Sequence, residues 1–135
     1  MQTFRTRALW LAGLTTLLVA CGDGPTAPGI QPQITNIADA FSYQVTSIQN
    51  FTGTYNYTWQ NSGTVAKITH ASDAGATGTA TLTVKDAAGT LVYSGQLVSS
   101  GQPLTSPVGV AGAWTITVAY SNYSNTQVNF GVVKQ

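Results

Sequence analysis

The chain has 135 residues, with five lysines and arginines, four aspartates, no glutamate, one histidine and one cysteine. One cysteine excludes an intramolecular disulfide, and one histidine and one cysteine do not provide the three or four His, Cys or acidic ligands of a zinc site. No basic stripe offers an electrostatic footprint for nucleic acid, and 43% hydrophobic residues with 10% aromatics mark a chain that packs a core rather than a disordered one.

The first seven residues carry Arg5 and Arg7 and no acid, and residues 8–20 then form an uncharged apolar run. As a helix that run is about 20 Å long, too short for a hydrocarbon core of about 30 Å. A basic start, a short apolar helix and a small residue before a cut describe an export signal. The run ends in Leu18-Val19-Ala20-Cys21, which resembles the lipobox of bacterial lipoproteins. The resemblance implies a diacylglyceryl group on the Cys21 sulfur and cleavage between Ala20 and Cys21, with acylation (palmitate or a similar chain) of the new amino group. At about 0.8 kcal/mol per buried methylene, two or three acyl chains make a stable anchor. Gly22 follows the cysteine and the acid comes one place later, at Asp23. By the enterobacterial sorting pattern this favours the outer membrane in a cell that has two.

Without residues 1–20, one domain's worth of chain remains. It holds Lys67, Lys85 and Lys134 against Asp23, Asp39, Asp73 and Asp86, a formal excess of one negative charge. Residues 21–32 comprise Cys21 and a stretch with Gly22, Gly24, Gly29, Pro25, Pro28 and Pro32, which reads as a flexible tether. From Gln33 to the end, residues 33–135, the pattern is that of strands. Phe41, Tyr43 and Val45 alternate with Ser42, Gln44 and Thr46. Tyr55, Tyr57 and Trp59 follow with the same period, then Ala66 and Ile68, then Ala80, Leu82 and Val84, then Leu91 and Tyr93. Trp114, Ile116, Val118 and Tyr120 form another set, and Val128, Phe130 and Val132 the last. One apolar and one polar face per strand is what an antiparallel sheet with one buried side requires. Asp86-Ala87-Ala88-Gly89 fits a hairpin whose turn is closed by a glycine with positive φ. A short edge strand is expected near Leu104, between Pro103 and Pro107, and residues 121–126 are expected to form a polar turn. The expected fold is all-β, an antiparallel two-sheet β-sandwich of jelly-roll or Ig-like type with seven or eight strands, following an N-terminal signal helix.

Residues 78–133 carry the runs Thr81-Leu82-Thr83-Val84-Lys85-Asp86-Ala87-Ala88-Gly89 and Gly112-Ala113-Trp114-Thr115-Ile116-Thr117-Val118, followed by Val128-Asn129-Phe130. This text resembles the small jelly-roll domains of the bacterial pre-peptidase C-terminal type. The resemblance implies a non-catalytic sandwich. Some members bind calcium through clustered acids, but here only Asp86 in the hairpin and Asp73 in a loop remain, so calcium is not carried over.

Few side chains are candidates for chemistry. His70 is the single histidine, with Asp73 three residues on; no Gly-x-Ser-x-Gly elbow accompanies them, and a hydrogen-bonded strand-end histidine is the expectation. Asp39, Asp73 and Asp86 sit where turns are expected, rather than as a facing carboxylate pair. Tyr55, Tyr57 and Trp59 form a three-ring stripe that reads first as core, and as a sugar-stacking platform if that face is exposed. Tyr123, flanked by Asn122 and Asn125, is the candidate exposed ring. The expected function is therefore that of a membrane-anchored extracytoplasmic lipoprotein with a non-catalytic binding or structural domain. It is expected to have no cofactor and no metal, and its partner is an envelope protein or a polysaccharide. The alternatives are a carbohydrate-binding surface lipoprotein with Trp59, Tyr123 and Asn122 at its ligand site, and more remotely a hydrolase.

Overall fold

The computed structural model describes residues 29–135 apart from Ser100. The expected signal peptide, the Ala20–Cys21 cleavage and lipidation site and most of the tether lie outside the described residues. Among the described residues no helix is long and apolar enough to cross a membrane.

The fold is all-β and antiparallel, with seven strands: β1 (Gln33–Ile37), β2 (Ala40–Asn61), β3 (Ala66–His70), β4 (Thr77–Lys85), β5 (Leu91–Gln96), β6 (Leu104–Thr105) and β7 (Gly112–Lys134). Two of them, β2 with 22 residues and β7 with 23, dominate. They pair from Ala40↔Val133 at one limit to Asn61↔Gly112 at the other. This long ribbon folds over at its middle, so each strand serves two layers. In the first layer β1, the opening half of β2, the closing half of β7, β3 and β6 lie side by side. In the second layer are the other halves of β2 and β7, with β4 and β5. Contacts between the two halves of β2 itself show the fold-over: the Phe41 and Tyr57 rings lie 5.4 Å apart and Tyr43 and Tyr57 6.1 Å apart. The hydroxyls of Tyr43 and Tyr120, one from each layer, meet at 2.8 Å.

The core follows from the alternation. Phe41, Tyr43, Val45, Trp59, Ile68, Leu82, Val84, Trp114, Ile116, Val118, Val128 and Val132 are all buried between the layers. On the outer face of the second layer, the registers Asn56↔Thr117 and Thr83↔Thr117 set uncharged polar side chains in a row.

Several sequence expectations need correcting. The segments around Phe41 and Trp59 are one strand, as are those around Trp114 and Phe130. Residues 121–126 are therefore not a turn but the bend of β7. β1 was not legible as a separate strand, because all five of its residues are exposed and it shows no burial alternation. The Asp86–Gly89 hairpin is found between β4 and β5, with Gly89 at φ 82°. The short edge strand at Leu104 is found as β6, paired with Ile68.

Candidate functional site

The fold-over gives the sandwich two unlike ends. At one end the limits of both long strands meet. Asp39, in the β1–β2 turn at φ 67°, donates its N–H to the Gln60 carbonyl, and its carboxylate accepts from Ser62 N at 2.7 Å and Ser62 Oγ at 2.9 Å. Lys134 lies 3.4 Å from the same carboxylate. The backbone N–H of Ser62, followed by its hydroxyl, holds the Asp39 carboxyl below its ordinary range. Asp86 closes the rest of this end. Its Oδ1 accepts from Ala88 N and Thr90 N, and its Oδ2 from Val110 N at 2.9 Å. Burial works to raise the Asp86 pKa, but these backbone donors overcome it and hold the group below the usual aspartate value. Beneath it, Trp114 Nε1 donates to the Val110 carbonyl at 2.7 Å, and Trp59 packs edge-on against Trp114 at 5.8 Å.

The other end is the bend. The pairing slips between Ile48 and Phe51, where β2 has one residue more than β7, and slips back between Phe51 and Gly53, where β7 has the extra residue. These are two complementary bulges. Asn50 and Asn122 occupy them, each in the left-handed region at φ 44°. Asparagine tolerates that region better than most residues. The displaced N–H groups are recovered by hydroxyls of the opposite strand: Asn50 N donates to Ser124 Oγ at 2.7 Å, and Asn122 N to Thr52 Oγ1 at 2.9 Å. The sequence shows the same kind of triplet at both bulges, Asn50-Phe51-Thr52 and Asn122-Tyr123-Ser124, although Asn56-Tyr57-Thr58 repeats it within the regular part of β2. Across the bend Phe51 registers with Tyr123.

The connection between β3 and β4 crosses from one layer to the other over this end. It is strapped to β7 by Ala71 N to the Asn129 carbonyl, Asp73 N to the Gln127 carbonyl, Asn125 Nδ2 to the Asp73 carbonyl, and Thr126 Oγ1 to the Asp73 carboxylate. Three open grooves of 400, 350 and 270 Å³ lie around the bend, the last two against this connection. The first lies against Ile30 and Phe51, the second against Thr77 and Asn125, the third against Gln96 and Leu97. Ser47 and Gln49 are shared by the first two, and Ala74 and Gly75 by the second and third, so the three form one trough around the bend.

The sequence-predicted site residues meet this geometry unevenly. Asn122 is exposed at the bend, where it forms the β7 bulge. Tyr123, expected to be an exposed ring, is only 1% exposed. Its hydroxyl accepts from Asn125 Nδ2 at 3.0 Å. Trp59 is fully buried, as the core reading of the stripe expects, and offers no face to a sugar. Tyr55 and Tyr57 are half-buried on the same inner face. His70 is buried and reaches the Tyr93 hydroxyl on the opposite layer through Nε2 at 3.1 Å; burial pushes its pKa below the ordinary value. Each of the three described aspartates holds a loop or turn of its own. Among the described residues, no three His, Cys, Asp or Glu side chains gather as a metal site. Phe51, Ser47 and Gln49 at the trough were not singled out from the sequence.

No family model matches the chain, and no curated protein matches it. Among solved structures, an arabinose-bound GH51 α-L-arabinofuranosidase is similar over 77% of this chain, with 14% identity and a TM-score of 0.38. The chain aligns with only 22% of that protein's length. A likeness this loose leaves the functional reading to the residues of the chain itself.

Proposed function

We propose that this chain is a lipid-anchored protein of the bacterial envelope whose sandwich binds another envelope component and performs no covalent chemistry. One observation carries the binding part: polar groups are divided between the two ends. Asp39 and Asp86 close one end through backbone hydrogen bonds, while the bend presents a trough of neutral amides and hydroxyls. A rigid scaffold that offers a concave surface on irregular backbone, with its one carboxylate, Asp73, already tied to Thr126, is suited to recognition. The anchor rests on the lipobox-like Leu18-Val19-Ala20-Cys21. Ile30 lines the trough, so an acylated Cys21 nine residues earlier would hold the bend within about 30 Å of the lipid surface.

Two measurements test the reading. Mass spectrometry of the protein extracted from membranes is expected to show an acylated Cys21 as the first residue; an unmodified cysteine or a retained Met1 sinks the anchor. Photo-crosslinkers placed at Gln49 and at Lys134 in intact membranes are expected to give a discrete adduct from Gln49 alone. Equal labelling from both positions, or none from Gln49, sinks the binding assignment.

A further inference from the structure

The trough has the chemistry of one ligand class. Its floor and walls combine apolar surface from Ile30, Phe51, Leu97 and the half-exposed Val98 with the side chains of Gln31, Ser47, Gln49, Thr77 and Gln96. Amides and hydroxyls both donate and accept hydrogen bonds without the desolvation penalty of a charge. Asp73 is the single charged residue in the lining of the three grooves, and its carboxylate is already engaged by Thr126. No lysine or arginine lines any of them, so an anionic polymer finds no partner. A sugar ring presents the matching pattern, an apolar C–H face bordered by hydroxyls that donate and accept.

Phe51 supplies a place for such a face to stack. The ring lies on Tyr55 at 6.0 Å with 20° between planes, and its edge contact with Tyr120 is at 5.5 Å. A side chain at Gly53 would put its Cβ 2.7 Å from Phe51 Cζ, so the glycine lets the ring lie flat along its own strand. The ring is half-buried, and it lines the first groove. The straps of the β3–β4 connection fix the far wall in advance, which reduces the ordering cost of binding.

We propose that the trough binds an extended neutral glycan several sugar units long, with Phe51 as its stacking platform and Ser47, Gln49 and Gln96 as hydrogen-bonding walls. This rests on the binding-module reading above and names its ligand class. The test is calorimetric titration of the detergent-solubilised full chain with neutral gluco-, manno-, xylo- and arabino-oligosaccharides from mono- to hexasaccharide. Oligogalacturonate and an uncharged peptide serve as controls. At least one neutral series is expected to bind, and to tighten with length. Phe51→Ala is expected to weaken it about tenfold. Ala74→Trp, on the exposed loop where the second and third grooves join, should weaken binding of the longer sugars with no change in melting temperature. Lys134→Ala at the opposite end should change nothing. Absence of binding by every neutral series overturns the proposal, as does binding that survives both trough variants or is matched by oligogalacturonate; preferential binding of the peptide overturns it in favour of a protein ligand. An acylated Cys21 with Gln49 adducts but no glycan binding sinks this inference alone, whereas glycan binding by a chain with unmodified Cys21 sinks only the anchor.

Discussion

The two ends of this sandwich solve the same problem by opposite means. Both must turn backbone around and satisfy the N–H groups that the ladder leaves unpaired. At the closed end carboxylates do it: Asp86 alone takes three backbone donors, and Asp39 joins the two limits of β2. At the bend the work falls to neutral hydroxyls, with Ser124 and Thr52 each capping an asparagine of the opposite strand. Carboxylate acceptors are the stronger. They leave a compact end over the Trp59–Trp114 pair with one left-handed non-glycine residue, Asp39, whereas the bend has three, Ser47, Asn50 and Asn122, and an open trough. Irregular backbone that persists in this way is common where a protein binds something.

Stability should reside chiefly in the closed end. Trp114→Ala removes a fully buried indole and leaves the Val110 carbonyl with only the longer bond from Ala87 N at 3.3 Å. A loss of about 3–5 kcal/mol is expected in denaturant unfolding. The half-buried Phe51→Ala at the bend should lose less than half as much; equal losses would mean that the two ends are not different in kind.

Next in size is a change at the bend itself. Gly78 opens β4 beside the β7 bulge at φ 74°, and a Cβ there would lie 2.2 Å from the Asn122 carbonyl oxygen and 2.5 Å from that of Ser121. Backbone cannot yield as a side chain does. Gly78→Ala combines left-handed strain with this clash, and about 2 kcal/mol or more should be lost. Thermal melts with and without the variant read the effect. A neutral outcome would show that the bend is soft enough to absorb a methyl group.

These two positions also show what the sequence made legible. Period-two alternation identified the inward residues on both sides of Trp59 and Trp114, because one buried face imposes it. The Asp86–Gly89 hairpin was legible for a local reason: acceptor side chain and permissive glycine are adjacent. The continuity of β2 and β7 was hidden because the composition of residues 121–126 is that of a turn. Two exposed residues, Ser121 and Asn122, stand between the inward Tyr120 and Tyr123 where strict alternation would place one. A one-residue slip reverses the face of what lies beyond it, and so Tyr123 and its register partner Phe51 both turn inward, Tyr123 fully buried and Phe51 half-buried where the core meets the trough. The Asn-aromatic-hydroxyl triplets at the bulges do not carry this information alone, since Asn56-Tyr57-Thr58 has the same pattern in regular strand; a bulge needs two strands to be recognised, and their pairing is not local.

Acidification should separate the ends more gently. Asp39 and Asp86 are both held below the ordinary aspartate value of 3.8. Groups of this kind contribute stability that is complete above 3.8 and is lost as pH falls through their depressed values. His70, held below 6.5 by burial, acts in the same direction: its contribution is complete above 6.5 and declines as pH falls below it. The melting temperature should therefore be level above 6.5, sag slightly below it, and drop steeply under 3.8. Asp86→Asn should lower the melting temperature at neutral pH, since an amide keeps one acceptor oxygen for three donors, and should flatten the acid limb. Gln49→Ala at the bend should leave the acid limb unchanged. An acid limb that survives Asp86→Asn intact would place its origin elsewhere.

The smallest effect is the most pointed. Ser47 sits at φ 57° and borders both the first and second grooves. Glycine there relieves about 1–2 kcal/mol of left-handed strain but loosens the unfolded chain by about 0.5–1 kcal/mol. Ser47→Gly should thus be neutral to stabilising by up to about 1.5 kcal/mol when read by chemical denaturation. If the bend keeps its strain in order to present a hydroxyl, the same substitution lowers affinity for a neutral oligosaccharide while stability holds or rises. Stability and affinity moving together would instead make the serine part of the scaffold, and the two ends would then differ in geometry but not in purpose.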